Sequence, residues 1–398
     1  MKPVYLDNNA TTRIAPEILD EMMPYLTDFY GNPSSMHTFG GQIHRKIEDA
    51  REKVASLIGA EPEEIIFTSC GTESDNTAIM SAVESVPRKR HVITTRVEHP
   101  AVLNFCHHLG RKGHRITYLP VNSRGQLDVN LLMKSVDDDT AVVSIMFANN
   151  ETGVIFPIME IADMLKDRGI LFHTDAVQAV GKLPIDVSKI PVDMLTLSGH
   201  KLHAPKGVGA LYVRKGTRFS PYVIGGHQEH GRRAGTENVA SIVALGKACE
   251  LAGKDMGNEM SYLGRLRDKL EKGLMGSCPD ASTNGDRDNR LPNTTNISFE
   301  YIEGEAILLR LNEYGICASS GSACSSGSLE PSHVLRSMGV PFTAVHGSVR
   351  FSLSRYNTEE EIDKVIEIVP PIIKELRQLS PFGREKIVCP PGVETETA

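Results

Sequence analysis

The sequence lacks the features that mark secreted, membrane-spanning and nucleic-acid-binding proteins. Its first residues, MKPVYLDNNATT, contain no apolar core of the kind that a signal peptide needs. No stretch approaches the roughly 18 consecutive apolar residues that would cross a bilayer. The formal net charge of −7, from 43 basic and 50 acidic residues, favours neither nucleic acid nor a membrane surface as a partner. The expected location is therefore the cytoplasm.

Cysteine is sparse in the sequence, and no pattern pairs one cysteine with another. The seven cysteines are an odd number at scattered spacing, and no CxxC pair indicates a zinc or thioredoxin site. In a reducing compartment they are thiols and not disulfides. Cys324 differs from the rest because it lies in a run of serine and glycine. The other six are expected to be structural or neutral, namely Cys70, Cys106, Cys249, Cys278, Cys317 and Cys389.

Strand-like and helix-like segments alternate over the first part of the chain. Six apolar runs rich in Val, Ile, Leu, Phe and Thr predict strands, several of them buried on both faces. Residues 41–58 carry apolar side chains at helical spacing and predict a helix. This alternation predicts an α/β fold with a mainly parallel sheet. The predicted strands are 64–69, 91–99, 140–149, 170–177, 193–199 and 209–215.

The pattern changes after about residue 257, where a smaller α+β domain is predicted to begin. A long helix is expected over 259–276, and two strands are expected in NTTNISFE and SVRFSLSRY. We see no internal repeats. The expected division is an N-terminal segment 1–15 that packs with the small domain, a large domain over 16–257, the small C-terminal domain over 258–380, and a loose tail over 381–398.

Two helices of the small domain carry end signals. Gly315 is expected to follow one helix as its left-handed cap. Thr358 and Glu361 form a capping-box pattern that begins the last helix. Pro370 and Pro371 should kink or end that helix, because proline lacks the backbone N–H that a helix interior needs.

Polar side chains follow the predicted strands, at the edge where α/β sheets bind ligands. Gly71 and Thr72 begin a helix whose free N–H groups can bind a phosphate, although a simple cap by Thr72 is the structural alternative. His99 follows the next strand, and a lone histidine is more often structural than catalytic. Asp175 ends another strand, where a buried carboxylate needs a partner. Lys201 follows the fifth strand.

Together these residue types match one cofactor, pyridoxal phosphate. A lysine amine forms a Schiff base with an aldehyde, and Lys206 competes with Lys201 for that role. A buried aspartate such as Asp175 keeps a pyridine nitrogen protonated and makes the ring an electron sink. The imidazole of His99 can stack on a flat ring. No single one of these residues is specific for pyridoxal phosphate. Their order on successive strand ends is specific for it.

The sequence resembles the cysteine desulfurases, which are pyridoxal-phosphate enzymes of the class-V aminotransferase family. The resemblance implies fold type I, with an aspartate-aminotransferase-like large domain. The serine-rich stretch around Cys324 is similar to that of the NifS/IscS type, and HKLHAPKG and YIEGEAILL are most similar to the nitrogen-fixation NifS branch. The motifs that carry the resemblance are YLDNNATT, YGNPSS, CGTESDN, VEHPAV, ANNETG, HTDAVQAVGK, SGHKLHAPKGVG, RRAGTEN, SSGSACSSGS and VRFSLSRY.

The resemblance implies a role for each cofactor-site residue. Lys201 would form the Schiff base, and His99 would stack on the ring and move protons. Asp175 would pair with the pyridinium nitrogen, and Gln178 would bond the ring hydroxyl. In this family Thr236 reaches the phosphate of the neighbouring subunit, which implies a homodimer. Asn150 is a further implied contact of the cofactor. The residues implied around its phosphate are Gly71, Thr72, Ser198 and His200.

The resemblance also implies the reaction. L-cysteine would bind through its carboxylate to Asn150 and Arg350, because an arginine fork suits a planar anion. Cys324 would take the sulfur as a persulfide and leave L-alanine. The sulfur would pass to an iron–sulfur scaffold protein, in assembly related to nitrogenase. No permanent metal is implied, although Cys324 would transiently ligate iron–sulfur species.

A serine- and glycine-rich setting suits a thiol that must visit two places. Ten flexible residues have a typical reach of about 17 Å and at most about 33 Å. Such an arm could bring Cys324 both to a buried cofactor and to an acceptor protein. Because an unperturbed cysteine is only slightly ionised at neutral pH, its attack needs a nearby base or a positive field that the sequence does not identify.

Two alternatives stay open on the sequence. One is another pyridoxal-phosphate enzyme, either a selenocysteine lyase or an aminotransferase. Transamination needs no cysteine at position 324, whereas selenocysteine cleavage would use the same residues. The other is a scaffold that holds an iron–sulfur cluster. Clusters need grouped thiolates, and the nearest pair, Cys317 and Cys324, is seven residues apart.

Overall fold

The structure is a computed structural model that describes residues 3–320 and 331–380. Cys324 and the predicted tail 381–398 lie outside the described residues. The strands are β1 (Val4–Tyr5), β2 (Ile65–Thr68), β3 (His91–Thr95), β4 (Arg115–Leu119), β5 (Thr140–Ser144), β6 (Leu171–Asp175), β7 (Met194–Ser198), β8 (Gly209–Val213), β9 (Ala281–Thr283), β10 (Thr294–Phe299), β11 (Ile316–Cys317) and β12 (Ser348–Ser352). The helices are α1 (Pro16–Met22), α2 (Pro24–Thr27), α3 (Thr38–Ile58), α4 (Gly71–Ser85), α5 (Pro100–Arg111), α6 (Val129–Ser135), α7 (Ile158–Leu165), α8 (Val239–Ser277), α9 (Gly304–Glu313), α10 (His333–Ser337), α11 (Phe342–Val345) and α12 (Glu359–Leu379).

A seven-stranded sheet in the order β2-β8-β7-β6-β5-β3-β4 forms the centre of the larger part of the molecule. Only β8 runs against its neighbours, so β2 to β7 all point the same way. The mainly parallel α/β sheet predicted from the sequence is therefore confirmed. Because the carboxyl ends of parallel strands lie along one edge, the residues that follow β2, β3, β5, β6 and β7 are brought together there.

The six predicted strands are all present, but β4 was missed. Its sequence, RITYL, is short, and its residues are mostly partly exposed. The strand lies at the edge of the sheet, where it pairs only with β3. An edge strand lacks the continuous apolar pattern of a strand buried on both faces, so periodicity gives little signal there.

Smaller sheets accompany the large one. β12, β10 and β9 form an antiparallel sheet, and β1 pairs with β11 in parallel. Val4 and Leu6 of the N-terminal segment belong to the apolar cluster of this smaller part. The predicted division into domains stays a prediction.

Helix α8 is much longer than the predicted helix over 259–276, since it begins at Val239 and continues through residue 257. Its first half, with Leu245 and Ala248, packs into the main apolar cluster, and its second half, with Leu266 and Leu270, packs into the smaller one. Any boundary at residue 257 therefore lies inside one continuous helix.

The other helix predictions differ in outcome. Gly315, which follows the C-cap residue Tyr314 of α9, has a φ of 71°, as predicted for a left-handed residue after the helix. Thr358 and Glu361 form the predicted capping box at the start of α12. The expectation that Pro370 and Pro371 could end this helix is wrong, because α12 continues to Leu379. Its buried residues on both sides of the prolines, Ile362, Val365, Val369, Ile372 and Ile373, hold it against the smaller apolar cluster.

None of the helices in the described part of the chain is long and apolar enough to cross a membrane.

Two glycines of α8 test how tightly this helix packs. A Cβ at Gly246 would lie 2.6 Å from the Cα of Ala50 in α3, whereas a Cβ at Gly264 would meet nothing within 4 Å. We expect Gly246→Ala to destabilise the protein by about 1–3 kcal/mol through overpacking. Gly264→Ala should stabilise it by about 0.5–1 kcal/mol, because alanine favours the helix. Thermal unfolding of the two variants checks this; shifts of the same sign would contradict the close packing.

Candidate active site

A cavity of about 280 Å³ opens at the carboxyl edge of the large sheet. Apart from Thr236 and Cys324, all the residues predicted for the site line this cavity. They are Gly71, Thr72, His99, Asn150, Asp175, Gln178, Ser198, His200, Lys201 and Arg350.

The strands place these residues by ending at the cavity. Gly71 begins α4 three residues after the end of β2, and His99 is the cap residue that precedes α5. Asp175 and Ser198 are the last residues of β6 and β7. Lys201 closes a short 3-10 turn directly after β7. The backbone therefore directs each side chain to the same edge, as the order of residues along the sequence predicts.

Lys201 is held by backbone carbonyl groups of the N-terminal segment. Its Nζ donates to the carbonyl oxygens of Asn9 at 2.6 Å and Ala10 at 2.7 Å. The Nε2 of Gln178 donates to the same Asn9 oxygen at 3.0 Å. The amine is thus directed to a defined point of the cavity, whereas Lys206 is exposed and does not line it.

Two buried carboxyl groups, those of Asp75 and Asp175, line the cavity and act on each other's charge. Burial raises the pKa of Asp175 to about 6, while the N–H of Val177, at 2.9 Å from its Oδ1, and the charge of Lys201 act in the opposite direction. Burial, and then the charge of Asp175, raise the pKa of Asp75 well above its usual value. Asp75 Oδ1 has no hydrogen-bond partner among the described residues. A cation placed here would be strongly favoured.

His99 is neutral in this environment. Burial, followed by the charges of Lys201 and His333, lowers its pKa to about 4. Its Nδ1 accepts the backbone N–H of Ala101 at 3.2 Å, so the proton of the neutral ring is on Nε2. The imidazole can therefore donate one hydrogen bond into the cavity and present a flat, uncharged face to a ring.

Arg350 places a positive charge at the cavity. This buried guanidinium donates to the carbonyl oxygen of Asn150 at 3.1 Å and to the carboxylate of Asp7 at 2.7 Å. Its Nε is buried and has no partner among the described residues. A guanidinium with a spare donor at a cavity wall is suited to hold a planar carboxylate.

The structure adds cavity residues that sequence reasoning did not assign. Asn9 and Ala10 lie in YLDNNATT, and the contacts of their backbone oxygens leave no signal in residue type. Asp75 lies in CGTESDN, where only the helix start was considered. Cys70 lines the cavity edge although it was expected to be structural or neutral.

Thr236 lies apart from the cavity of its own chain. It is exposed, in the loop that precedes α8. This position neither tests nor excludes its implied contact with a neighbouring subunit. Cys324 lies outside the described residues.

Comparison with known proteins agrees with this fold and cavity. The model of the class-V aminotransferase family matches residues 4–365, and the chain belongs to this family. The chain is 62% identical over 97% of its length to a cysteine desulfurase of Nostoc sp., of which 96% is covered. It is 60% identical over 96% of its length to the cysteine desulfurase NifS of Azotobacter vinelandii, with 95% of that protein covered. A solved NifS-like protein, 42% identical, superimposes with a TM-score of 0.89 over 94% of this chain and all of the other. Within the family, this chain is a cysteine desulfurase of the NifS/IscS type.

Enzymes of this family depend on pyridoxal phosphate, and the cavity residues fit that group. The buried hydroxyl of Ser198 has no partner among the described residues, at the place where a phosphate would meet the start of α4. A Cβ at Gly71 would lie 2.9 Å from a methyl group of Val177, so glycine keeps this space open. The raised pKa of Asp175 suits a protonated ring nitrogen as its partner.

Ser198 provides a direct test of this fit. Because its hydroxyl bonds no described group, Ser198→Ala should leave the thermal stability of the cofactor-free protein unchanged. Its affinity for pyridoxal phosphate should fall about ten- to a hundredfold, the effect of one hydrogen bond to a charged group. Titration of the cofactor-free protein with pyridoxal phosphate measures this.

Thr174→Val is the matched control, since the Thr174 hydroxyl is likewise buried and unpartnered but does not line the cavity. Equal affinities in the Ser198 variant and the control would contradict the assignment of Ser198 to the phosphate.

Proposed function

We propose that this protein removes sulfur from L-cysteine with bound pyridoxal phosphate, releases L-alanine and carries the sulfur as a persulfide on Cys324. The observation that carries the proposal is the meeting of Lys201, Asp175, His99 and Arg350 in one cavity. This set combines an amine, a buried carboxylate, a neutral imidazole and a carboxylate-binding guanidinium, and cysteine desulfuration needs each of them.

The residues on either side of 321–330, here called the Cys324 segment, are bonded either to a cavity residue or to the neighbour of one. Ser319 exchanges two backbone hydrogen bonds with Arg350, at 3.2 and 2.6 Å. On the other side, Ser332 donates to the carboxyl of Glu151 at 2.5 Å. Cys324 is five residues from Ser319, and five extended residues span about 17 Å. This length supports Cys324 as the sulfur acceptor.

The chain's own residues would bind and orient the substrate. Arg350 would hold the cysteine carboxylate with its spare Nε donor. Asn150, whose carbonyl oxygen accepts from Arg350, keeps the guanidinium directed into the cavity. Holding the carboxylate fixes one end of a small substrate, so that its amine can approach Lys201 and its sulfur can face the opening toward Cys324.

Lys201 and His99 would handle protons. Nζ of Lys201 would bind the cofactor covalently and, when displaced by the substrate amine, would act as the base that moves the substrate α-proton. His99, neutral and protonated on Nε2, can donate a hydrogen bond without adding charge near Lys201. The bound cofactor supplies the electron sink that weakens the bonds of the substrate carbon atoms.

The sulfur transfer balances without an external oxidant or reductant. The thiolate of Cys324 would attack the substrate sulfur, forming an S–S bond while the carbon–sulfur bond of the substrate breaks. The electron pair of the broken bond and one proton complete the methyl group of alanine. Cysteine and the Cys324 thiol thus become alanine and the Cys324 persulfide.

A homodimer is part of the proposal. Large apolar side chains are exposed on the N-terminal helices and on the segment that leads to Thr236, where Ile224 is 87% exposed. An exposed apolar surface of this kind is typical of an interface. A dimer formed there would place Thr236 against a second copy of the chain. The exposed residues are Leu19, Met23, Leu26, Phe29, Tyr30, Met36, Phe39, Tyr222 and Ile224.

The proposed destination of the sulfur is an iron–sulfur scaffold protein in the cytoplasm. The likeness to a protein named NifS supports a role in the assembly of nitrogenase clusters. The exposed position that a serine- and glycine-rich sequence favours would let such an acceptor reach Cys324.

Replacing Lys201 and Lys206 one at a time tests which of the two lysines binds the cofactor. Lys201→Ala should lose the visible absorption band of the lysine-bound cofactor and lose alanine formation by several orders of magnitude, because no other amine lies at that point of the described cavity. Lys206→Ala should keep both, since Lys206 is exposed and outside the cavity. Absorption spectra, with peptide mapping after borohydride reduction, locate the attachment. Cofactor found on Lys206 would refute the assignment.

Cys324 tests the reaction itself. Cys324→Ala should still bind pyridoxal phosphate and should still show a spectral change with L-cysteine, because both depend on the described cavity. It should release no alanine in a single turnover. The wild-type protein, given cysteine without reductant, should gain the mass of one sulfur atom on the peptide that contains residue 324. Alanine release by Cys324→Ala at the wild-type rate would show that another group accepts the sulfur.

A further inference from the structure

One buried carboxyl group, next in the chain to a cavity residue, has no part in the roles given above. Glu151 follows Asn150 and is only 2% exposed. Burial raises its pKa to about 7, and the charge of Arg350 opposes that rise. Burying a carboxyl group is costly unless it is hydrogen-bonded. The partner of Glu151 is therefore informative.

That partner is Ser332, the second described residue after the Cys324 segment. Ser332 is also buried, and its hydroxyl donates to Glu151 Oε2 at 2.5 Å. The same hydroxyl oxygen accepts the backbone N–H of Leu335 at 3.2 Å and so caps α10. One side-chain oxygen thus joins the start of this helix to the loop that follows β5.

A second hydrogen bond holds the chain at the residue after Ser332. His333 Nε2 lies 2.9 Å from the carbonyl oxygen of Glu98, and because a carbonyl only accepts, the ring nitrogen donates. Glu98 precedes His99, the residue proposed to face the cofactor ring. The chain that emerges from the Cys324 segment is therefore held by the residues next to two proposed site residues, His99 and Asn150.

We infer that Glu151 is a positioning residue for the sulfur-transfer step, acting through Ser332. By holding Ser332 it fixes the point to which the Cys324 segment returns at the cavity. At the other end, Ser319 is held by two backbone hydrogen bonds to Arg350. Without the Glu151–Ser332 bond, Ser332 is held less closely beside Asn150, and the effective concentration of the Cys324 thiol at the substrate falls. The inference rests on the proposed function.

The bond requires an acceptor on residue 151 and does not require its charge. Glu151→Gln keeps a side-chain carbonyl that can accept from Ser332, so its rate should stay within about twofold of the wild type. Glu151→Ala and Ser332→Ala each remove the bond. Each should slow alanine release in a single turnover by about three- to tenfold, the effect of one hydrogen bond that acts in that step. The double variant should be no slower than the slower single variant, because both lose the same bond.

The experiment measures two steps in the same holoenzyme. The spectral change on mixing with L-cysteine reports substrate binding at the cofactor, and rapid quenching reports alanine and the persulfide of Cys324. We expect the rate and the concentration dependence of the spectral change to be unchanged in all variants, while alanine and persulfide form together more slowly in the two alanine variants. A general loss of stability would slow both steps and could not slow the sulfur transfer alone.

Thr295→Ala is the matched control. Thr295 donates a similar buried hydroxyl–carboxylate bond, to Glu271 at 2.6 Å, but neither residue is next in sequence to a residue that lines the cavity, whereas Glu151 directly follows Asn150. This variant should lose stability and keep the wild-type rate of both steps. Ser332→Ala, the smaller change, keeps the test valid if Glu151→Ala does not fold.

Three outcomes would overturn the inference: wild-type alanine release in Ser332→Ala, equal slowing of both steps, or multiplied effects in the double variant. Failure of the wild-type protein to form alanine and a persulfide on Cys324 would instead refute the proposed function.

Discussion

The carbonyl oxygen of Asn9 is the point on which the arrangement of the cavity depends. It accepts from both Lys201 and Gln178, and so sets the distance between two proposed cofactor contacts. The side chain of Asn9 in turn donates to the carbonyl oxygen of Asn150 and to the hydroxyl of Thr294 in the small sheet. One residue of the N-terminal segment therefore connects the lysine, the substrate side of the cavity and the smaller part of the molecule. If the N-terminal segment moved, the positions of the lysine, the substrate side and the smaller part relative to one another would change.

Buried charge explains why the cavity can work on a bound group. Asp75, Glu98 and Asp175 are almost fully buried, and burial is the largest cause of the raised pKa of each. The chain places carboxyl groups where they are costly in its own fold, and a positively charged ring nitrogen would relieve that cost. The neutral His99 between this acidic region and Lys201 avoids adding a further charge. The site is therefore preorganised for its ligand, and the buried carboxyl groups lower the stability of the protein when no ligand is bound.

Sequence reasoning predicted the parts of the site that depend on residue type and strand order. Apolar runs located β2, β3, β5, β6, β7 and β8, and polar residues after them located Lys201 and Asp175. It could not predict contacts made by backbone atoms, such as those of Asn9 and Ala10, because any residue offers the same carbonyl oxygen. It missed the edge strand β4, whose exposed residues resemble a loop. It also took two prolines as a possible helix end, whereas packing of α12 outweighs the lost hydrogen bonds.

The site divides its tasks between rigid and connecting parts of the chain. Groups that must hold a cofactor and substrate lie at strand ends, where the sheet determines their positions. A sulfur carrier has a different requirement, since a thiol built into a strand end could meet the substrate but could not pass the sulfur on. A thiol on a long free segment would seldom meet the substrate, because the probability of contact falls as the segment lengthens. Anchors at Ser319, bonded to the cavity residue Arg350, and at Ser332, bonded to Glu151 next to the cavity residue Asn150, suit both requirements, because they hold both ends of the stretch that contains Cys324 beside the cavity. The position of these anchors, rather than the identity of the serines between them, is what links the reaction at the sheet edge to delivery outside it.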